Sequence, residues 1–89
     1  EFQKQGETAL DLQNATIGQS LFLSSVKIFG ETDLNGLKTG GQLSCTGAEF
    51  QNKGGTALNL QDADIGQSLF LSSAKISGET DLNGLKTGG

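Results

Sequence analysis

The sequence predicts an all-β fold, a parallel β-solenoid (β-helix) with about 22–26 residues per coil and two coils per 48-residue repeat. Three observations carry that reading. The chain repeats itself at long range, it carries a finer rhythm of apolar–x–apolar triplets, and turn-forming residues separate the triplets.

The long repeat appears when Glu1–Gly41 is laid on Glu49–Gly89, with Phe2 matching Phe50 at an offset of 48 residues. The two stretches differ at Lys4/Asn52, Gln5/Lys53, Glu7/Gly55, Asp11/Asn59, Asn14/Asp62, Thr16/Asp64, Val26/Ala74 and Phe29/Ser77. Most of these are exchanges between polar residues, which solvent-facing positions tolerate. Residues 1–48 are therefore expected to form a first repeat of two coils. Residues 49–89 form a second, also of two coils but truncated.

Inside each long repeat run the triplets Leu10/Leu12, Ala15/Ile17, Leu21/Leu23, Val26/Ile28, Thr32/Leu34, Leu37/Thr39, Leu43/Cys45 and Ala48/Phe50. Each reads as a short strand whose outer two side chains share one face while the middle one points the other way. A stripe at the 3.6-residue spacing of a helix is absent. Between triplets lie Gln-Asn, Gly-Gln-Ser, Ser-Ser, Gly-Glu, Asn-Gly, Gly-Gly-Gln and Thr-Gly, residues that accept positive φ or bond their own backbone, so the chain is expected to bend after every triplet.

Successive triplets are five and six residues apart in alternation, so four bends close a coil of 22 residues and place Leu10 beneath Thr32 and Leu21 beneath Leu43. Every second coil carries four residues more. The surplus falls in Gln51 to Ala57 (QNKGGTA) and equivalently Gln3 to Ala9 (QKQGETA), read as a loop bulging from one edge. Four coils about 4.8 Å apart make a rod about 19 Å tall with open strand edges at its ends.

Stacking sorts the outward middle residues into columns. One carries Asp11, Asp33, Asn59 and Asp81; a second carries Thr16, Lys38, Asp64 and Lys86; a third carries Lys27, Glu49 and Lys75. The last two alternate in charge, which favours one register; exposed pairs of this kind contribute about 0–1 kcal/mol each. The Asp column is a candidate for cation binding, since like charges one strand apart repel unless screened, although a solvated acidic stripe is the plainer reading. The remaining column, Phe22, Ser44 and Phe70, either presents two aromatics to a partner or marks a register in which they are buried.

Composition narrows the function. A net charge of −4 from 6 basic and 10 acidic residues argues against a basic groove for nucleic acid. The chain has no His, and no Gly-x-Ser-x-Gly elbow surrounds Ser24, Ser25, Ser72 or Ser73, so hydrolase chemistry is not expected. Cys45, the single cysteine, takes an inward position and reads as a small buried hydrophobe, and one thiol builds no disulfide framework. Gly40-Gly41-Gln42 lacks the Gly and Asp that complete a calcium-binding β-roll turn. Thr32, Thr39, Thr80 and Thr87 are spread over two faces instead of forming the regular Thr-x-Thr face of an ice binder. No enzyme activity, cofactor or metal is expected, and no apolar run reaches the about 20 residues of a membrane span. Lacking Met, the chain reads as an excerpt of a longer array.

The triplets Ala15-Thr16-Ile17, Thr32-Asp33-Leu34, Ala48-Glu49-Phe50, Ala63-Asp64-Ile65 and Thr80-Asp81-Leu82 resemble the Ala-(Asp/Asn)-Leu-x-x unit of pentapeptide-repeat proteins. The resemblance implies a right-handed, four-sided parallel β-helix with the Ala and Leu positions inward. The looser units and the alternating five- and six-residue spacing here suggest a wider, oblong coil. Some members of that family mimic DNA with an acidic rod; Lys27, Lys38, Lys75 and Lys86 interrupt the acidic columns here.

The expected function is structural: a repeat module stacking end to end into a rod or fibre, its partner being itself or neighbouring repeats, in an extracellular or bacterial-surface setting. The alternative is a protein- or glycan-binding scaffold that uses the edge loops or the Phe22/Phe70 face.

Overall fold

The computed structural model describes residues 2–88, with side chains described from Thr8 onward. Eleven strands and no helix make up the described chain. The long ones are β1 (Phe2–Asp11), β4 (Lys27–Asp33), β7 (Glu49–Asn59) and β10 (Lys75–Asp81). The two-residue ones are β2 (Thr16–Ile17), β3 (Leu21–Phe22), β5 (Lys38–Thr39), β6 (Leu43–Ser44), β8 (Asp64–Ile65), β9 (Leu69–Phe70) and β11 (Lys86–Thr87). They pair in parallel as three sheets, β1-β4-β7-β10, β2-β5-β8-β11 and β3-β6-β9, each strand hydrogen-bonded to its counterpart one coil away. This is a β-solenoid of about four turns, 31 × 22 × 18 Å in extent.

The register follows the columns read from the triplets. Leu10 pairs with Thr32, Leu21 with Leu43, Thr16 with Lys38, and Lys38 with Asp64. Inward side chains of the two middle coils are fully buried, among them Ile28, Leu34, Leu37, Leu43, Phe50, Leu58, Leu60 and Ile65. Each such aliphatic or aromatic side chain contributes about 1.5–3 kcal/mol when taken out of water. Cys45 lies in this core, its thiol pushed up to about 11 by burial, so it packs as a hydrophobe and carries no thiolate at neutral pH. Thr32 is the misfit: its hydroxyl is buried without a hydrogen-bond partner.

Two expectations need correction. The bend expected at Gly30-Glu31 is not a break between strands, because β4 runs through it from Lys27 to Asp33, so each coil has three sheets where four separate faces were expected. The chain turns there inside the strand, with φ of 136° at Gly30 and 134° at Gly78. Likewise the four surplus residues are not a separate loop. They ride within β7 as two bulges: Ser77 pairs with Gln51, Glu79 with Thr56 and Thr80 with Leu58, so three extra residues are absorbed in the first step and one in the second. The same two steps recur between β1 and β4. Gln51 and Leu58, each paired with both β4 and β10, hold the two ends of the segment in the sheet. Buried Asn52 closes the larger bulge by donating from Nδ2 to the Thr56 carbonyl at 2.9 Å, leaving Lys53, Gly54 and Gly55 exposed.

The other three corners of each coil are tight turns. Those at Gln13-Asn14, Ser24-Ser25, Asn35-Gly36 and their repeats close with i to i+3 backbone bonds of 3.0–3.4 Å, such as Ala15 N to the Leu12 carbonyl. Only the third residue of each turn has positive φ, the signature of a type II turn. The third corner stacks Gly18, Gly40, Gly66 and Gly88; the last three are each bonded to the coil beneath, as Gly66 N is to the Thr39 carbonyl at 2.8 Å. A Cβ on Gly66 would stand 2.7 Å from the Gly40 and Thr39 carbonyl oxygens, and one on Gly40 would be driven into the Gly18 oxygen. Gly18 alone in this column has nothing within 4 Å of a built Cβ.

This contrast generates a test. Gly40→Ala should lower stability by about 1–3 kcal/mol, the usual consequence of overpacking, whereas Gly18→Ala should leave the isolated chain's melting temperature unchanged. Thermal denaturation of dilute samples followed by circular dichroism compares the two.

Candidate functional surfaces

The solenoid places its chemistry-bearing side chains in ladders, so each candidate surface is a column with one residue per coil. The Asp column is assembled as expected: Asp11 pairs with Asp33, Asp33 with Asn59 and Asn59 with Asp81. Its role is visible in the hydrogen bonds. In every coil the side-chain Oδ1 accepts the backbone N–H two residues on, from Gln13 at 3.0 Å, Asn35 at 3.1 Å, Gln61 at 2.9 Å and Asn83 at 3.0 Å. These are Asx turns, and they hold the chain at the entrance to a corner. Asp33 is further satisfied by Gln13 Nε2, which donates to Oδ2 at 2.6 Å. Asn59 makes the same turn as the aspartates, so the column selects a side-chain oxygen and not a charge. Among the described residues no group of three or more His, Cys, Asp or Glu is arranged to hold a metal ion.

Glu31 is the carboxylate this arrangement perturbs. It sits beside the column on β4, and its pKa is raised above the ordinary 4.5 by partial burial first and by the Asp33 charge second; a hydrogen bond from Asn59 opposes this, and Asp11 adds to it. The sequence holds no signal for this, since Glu31 looks like one more exposed corner residue.

The two alternating columns also form. Lys27, Glu49 and Lys75 are aligned on successive strands, as are Thr16, Lys38, Asp64 and Lys86. The fourth column settles the open question about the aromatics: Phe22 is 64% and Phe70 40% exposed, both outward, with Ser44 paired between them and nearly buried. Hydroxyls crowd this strip, Ser24 and Ser44 lying 3.1 Å apart. Two exposed rings two coils apart, separated by a serine, make a narrow apolar strip with no cleft.

The remaining surfaces are the two sheet edges. β1, β2 and β3 line one, β9, β10 and β11 the other. The inward residues next to them are only partly covered, including Leu10, Leu12, Ile17, Leu69 and Leu85, and Leu82 is 44% exposed. Open edges were legible in the sequence; their apolar lining follows from inward positions that lack a coil on one side.

The class these features define is a tandem-repeat parallel β-solenoid. No family model, curated protein or solved structure matches the chain. Among the described residues no helix is long and apolar enough to cross a membrane.

Glu31 provides a test of the column's electrostatics. Because its folded-state pKa lies above the unfolded value, the folded chain holds this proton more tightly, and ionisation opposes folding. The penalty is absent well below the unfolded pKa and complete once the pH exceeds the raised one. Glu31→Gln should therefore melt at a higher temperature than wild type at pH 7, and the difference should close as the pH falls below about 4. Melting curves of both proteins across this range measure it.

Proposed function

We propose that this chain is a non-catalytic structural module whose coils continue end to end into an elongated rod, in a bacterial-surface or extracellular setting. The observation that carries the reading is the pair of sheet edges. Both present unpaired strand with apolar residues beside it, and both are built of the same repeat that already stacks upon itself inside the chain. The pentapeptide-repeat resemblance of the triplets agrees with a stacking scaffold.

The glycine corner makes the reading testable. If a second chain continues the stack, its Gly18 comes to rest on Gly88 of the first chain, as Gly66 rests on Gly40. Gly18→Ala then meets a carbonyl only in the assembly. The variant should fold normally yet associate about 5- to 150-fold more weakly. Negative-stain electron microscopy with concentration-dependent light scattering should show wild-type rods that lengthen with concentration and variant rods that do not. Discrete particles of one size for the wild type at every concentration would overturn the reading.

A second reading, a protein- or glycan-binding scaffold, is favoured by one observation, the outward exposure of Phe22 and Phe70. Replacing both with Ser should leave the melting temperature within a few degrees and abolish retention on a glycan array or partner column; unchanged retention would remove this reading.

A further inference from the structure

Charge is distributed unevenly around the coil. Residues 17–26, 39–48 and 65–74 carry the third sheet and the corners on either side of it, and they contain none of the chain's 6 basic and 10 acidic residues. What this neutral face presents instead is hydroxyls, amides and two phenyl rings. Strands β3, β6 and β9 lay Phe22, Ser44 and Phe70 in register, so the rings stand about 9.6 Å apart along the stack, two spacings of parallel strands. Ser44 is nearly buried between them, its hydroxyl 3.1 Å from Ser24 Oγ and 3.4 Å from Thr46 Oγ1. Ser24 and Thr46 are exposed, and each hydroxyl, oriented by Ser44, retains hydrogen-bonding capacity toward solvent. The block Ile17–Ser25 recurs unchanged as Ile65–Ser73, so the second ring has the same sequence neighbours as the first.

A ligand for this face has to match three properties. It is uncharged, because the face offers no ion-pair partner. It combines flat apolar surface with hydroxyls, because rings and hydroxyls lie side by side here. It is extended along the stack, because the rings are spaced by coils and no cleft encloses a compact molecule. A neutral β-linked hexose polymer has all three. The C–H groups of each sugar make an apolar face that stacks on an aromatic ring, and its equatorial hydroxyls point sideways. Successive sugars are flipped, so alternate ones present the same face, and two coil steps are close to the length of one disaccharide. A folded protein fits less well: a stable protein interface covers about 800 Å² on each side, and two-residue strands bearing one ring per two coils lack the contiguous apolar centre it needs.

We propose that the β3-β6-β9 face binds a neutral, extended β-linked polysaccharide running along the solenoid axis, with alternate sugars stacked on Phe22 and Phe70 and the sugar between them hydrogen-bonded by Ser24 and Thr46. The inference goes beyond the rod reading; it rests on the binding-scaffold reading above and names its ligand. Each ring alone is a weak site. A chain long enough to reach both gains affinity because the second contact is made within one complex.

The experiment is titration calorimetry with β-linked glucose oligomers and β-linked N-acetylglucosamine oligomers, from disaccharide to hexasaccharide, with alginate as a polyanionic control. One of the two neutral series should bind, its affinity rising about 100-fold between the disaccharide and the lengths that reach both rings. Phe70→Ser should remove that rise while leaving disaccharide binding within about twofold, and Phe22→Ser/Phe70→Ser should abolish binding. Thr46→Val should weaken the longer oligomers about 2- to 10-fold, the loss of one hydrogen bond. Melting curves of each variant, expected within a few degrees of wild type because the substituted side chains are exposed, establish that it is folded. Oligomer binding that survives loss of both rings, or alginate binding as tightly as the neutral oligomers, would overturn the proposal. If neither neutral series binds while retention on a partner column still requires Phe22 and Phe70, the polysaccharide falls and the broader binding reading stands. If that retention does not require them either, both fall.

Discussion

The constraint on which the structure depends is the approach of one coil's backbone to the next, about 4.8 Å, set by the hydrogen bond between parallel strands. Because the same bond is made at every level, any side chain has to fit between its equivalents above and below. In the straight stretches this is easy, since side chains project sideways into the core or out to solvent. At the corners the chain turns across the stack, and there the spacing leaves no room for a Cβ where Gly40, Gly66 and Gly88 sit. The glycine column is therefore a consequence of the strand spacing.

A second corner solves the same problem by alternation. Asn14, Gly36, Asp62 and Gly84 share the left-handed position of their turns, at φ of 58°, 71°, 57° and 73°. A Cβ on Gly36 would strike the Asn14 side chain, and one on Gly84 that of Asp62. The side chain of each long coil thus occupies space that the glycine of the short coil leaves open. This couples the two coil types into a pair, and it gives a physical reason for a repeat unit of two coils. The surplus residues of the long coil belong to the same pairing, since a bulge in β7 is flanked on both sides by the shorter, unbulged β4 and β10.

Period, register and core were legible in the sequence because each depends on spacing alone. Leu43, Cys45 and Ala48 are buried at the positions that the triplets assign, and all four outward columns align. What was not legible depends on backbone hydrogen bonding that a residue string does not display. Gly30-Glu31 and QNKGGTA look like turn and loop by composition, yet the residues that flank them, Phe29 and Thr32 in β4 and Gln51 and Leu58 in β7, pair with one another and keep both segments inside continuous strands. The Asp column looked like a charge ladder with a claim on cations. Its purpose becomes apparent only when each Oδ1 is seen to accept the N–H two residues on. One signal for this was present: Asn59 interrupts the aspartates, and an amide that preserves the pattern argues for an acceptor oxygen over a charge.

The same dependence explains why function in this chain has to be sought along columns and at edges. A solenoid side chain meets its neighbours in sequence on its own coil and its equivalents on adjacent coils, so residues from distant parts of the chain do not converge as they do in a cleft. Chemistry that needs convergence, such as a nucleophile oriented by a base, has no natural place on such a surface. Properties that accumulate by repetition do: a line of exposed rings, an alternation of charge, a strand edge ready for another strand. Of these the edge alone involves backbone bonds and apolar burial together, the two terms that hold the coils to one another within the chain.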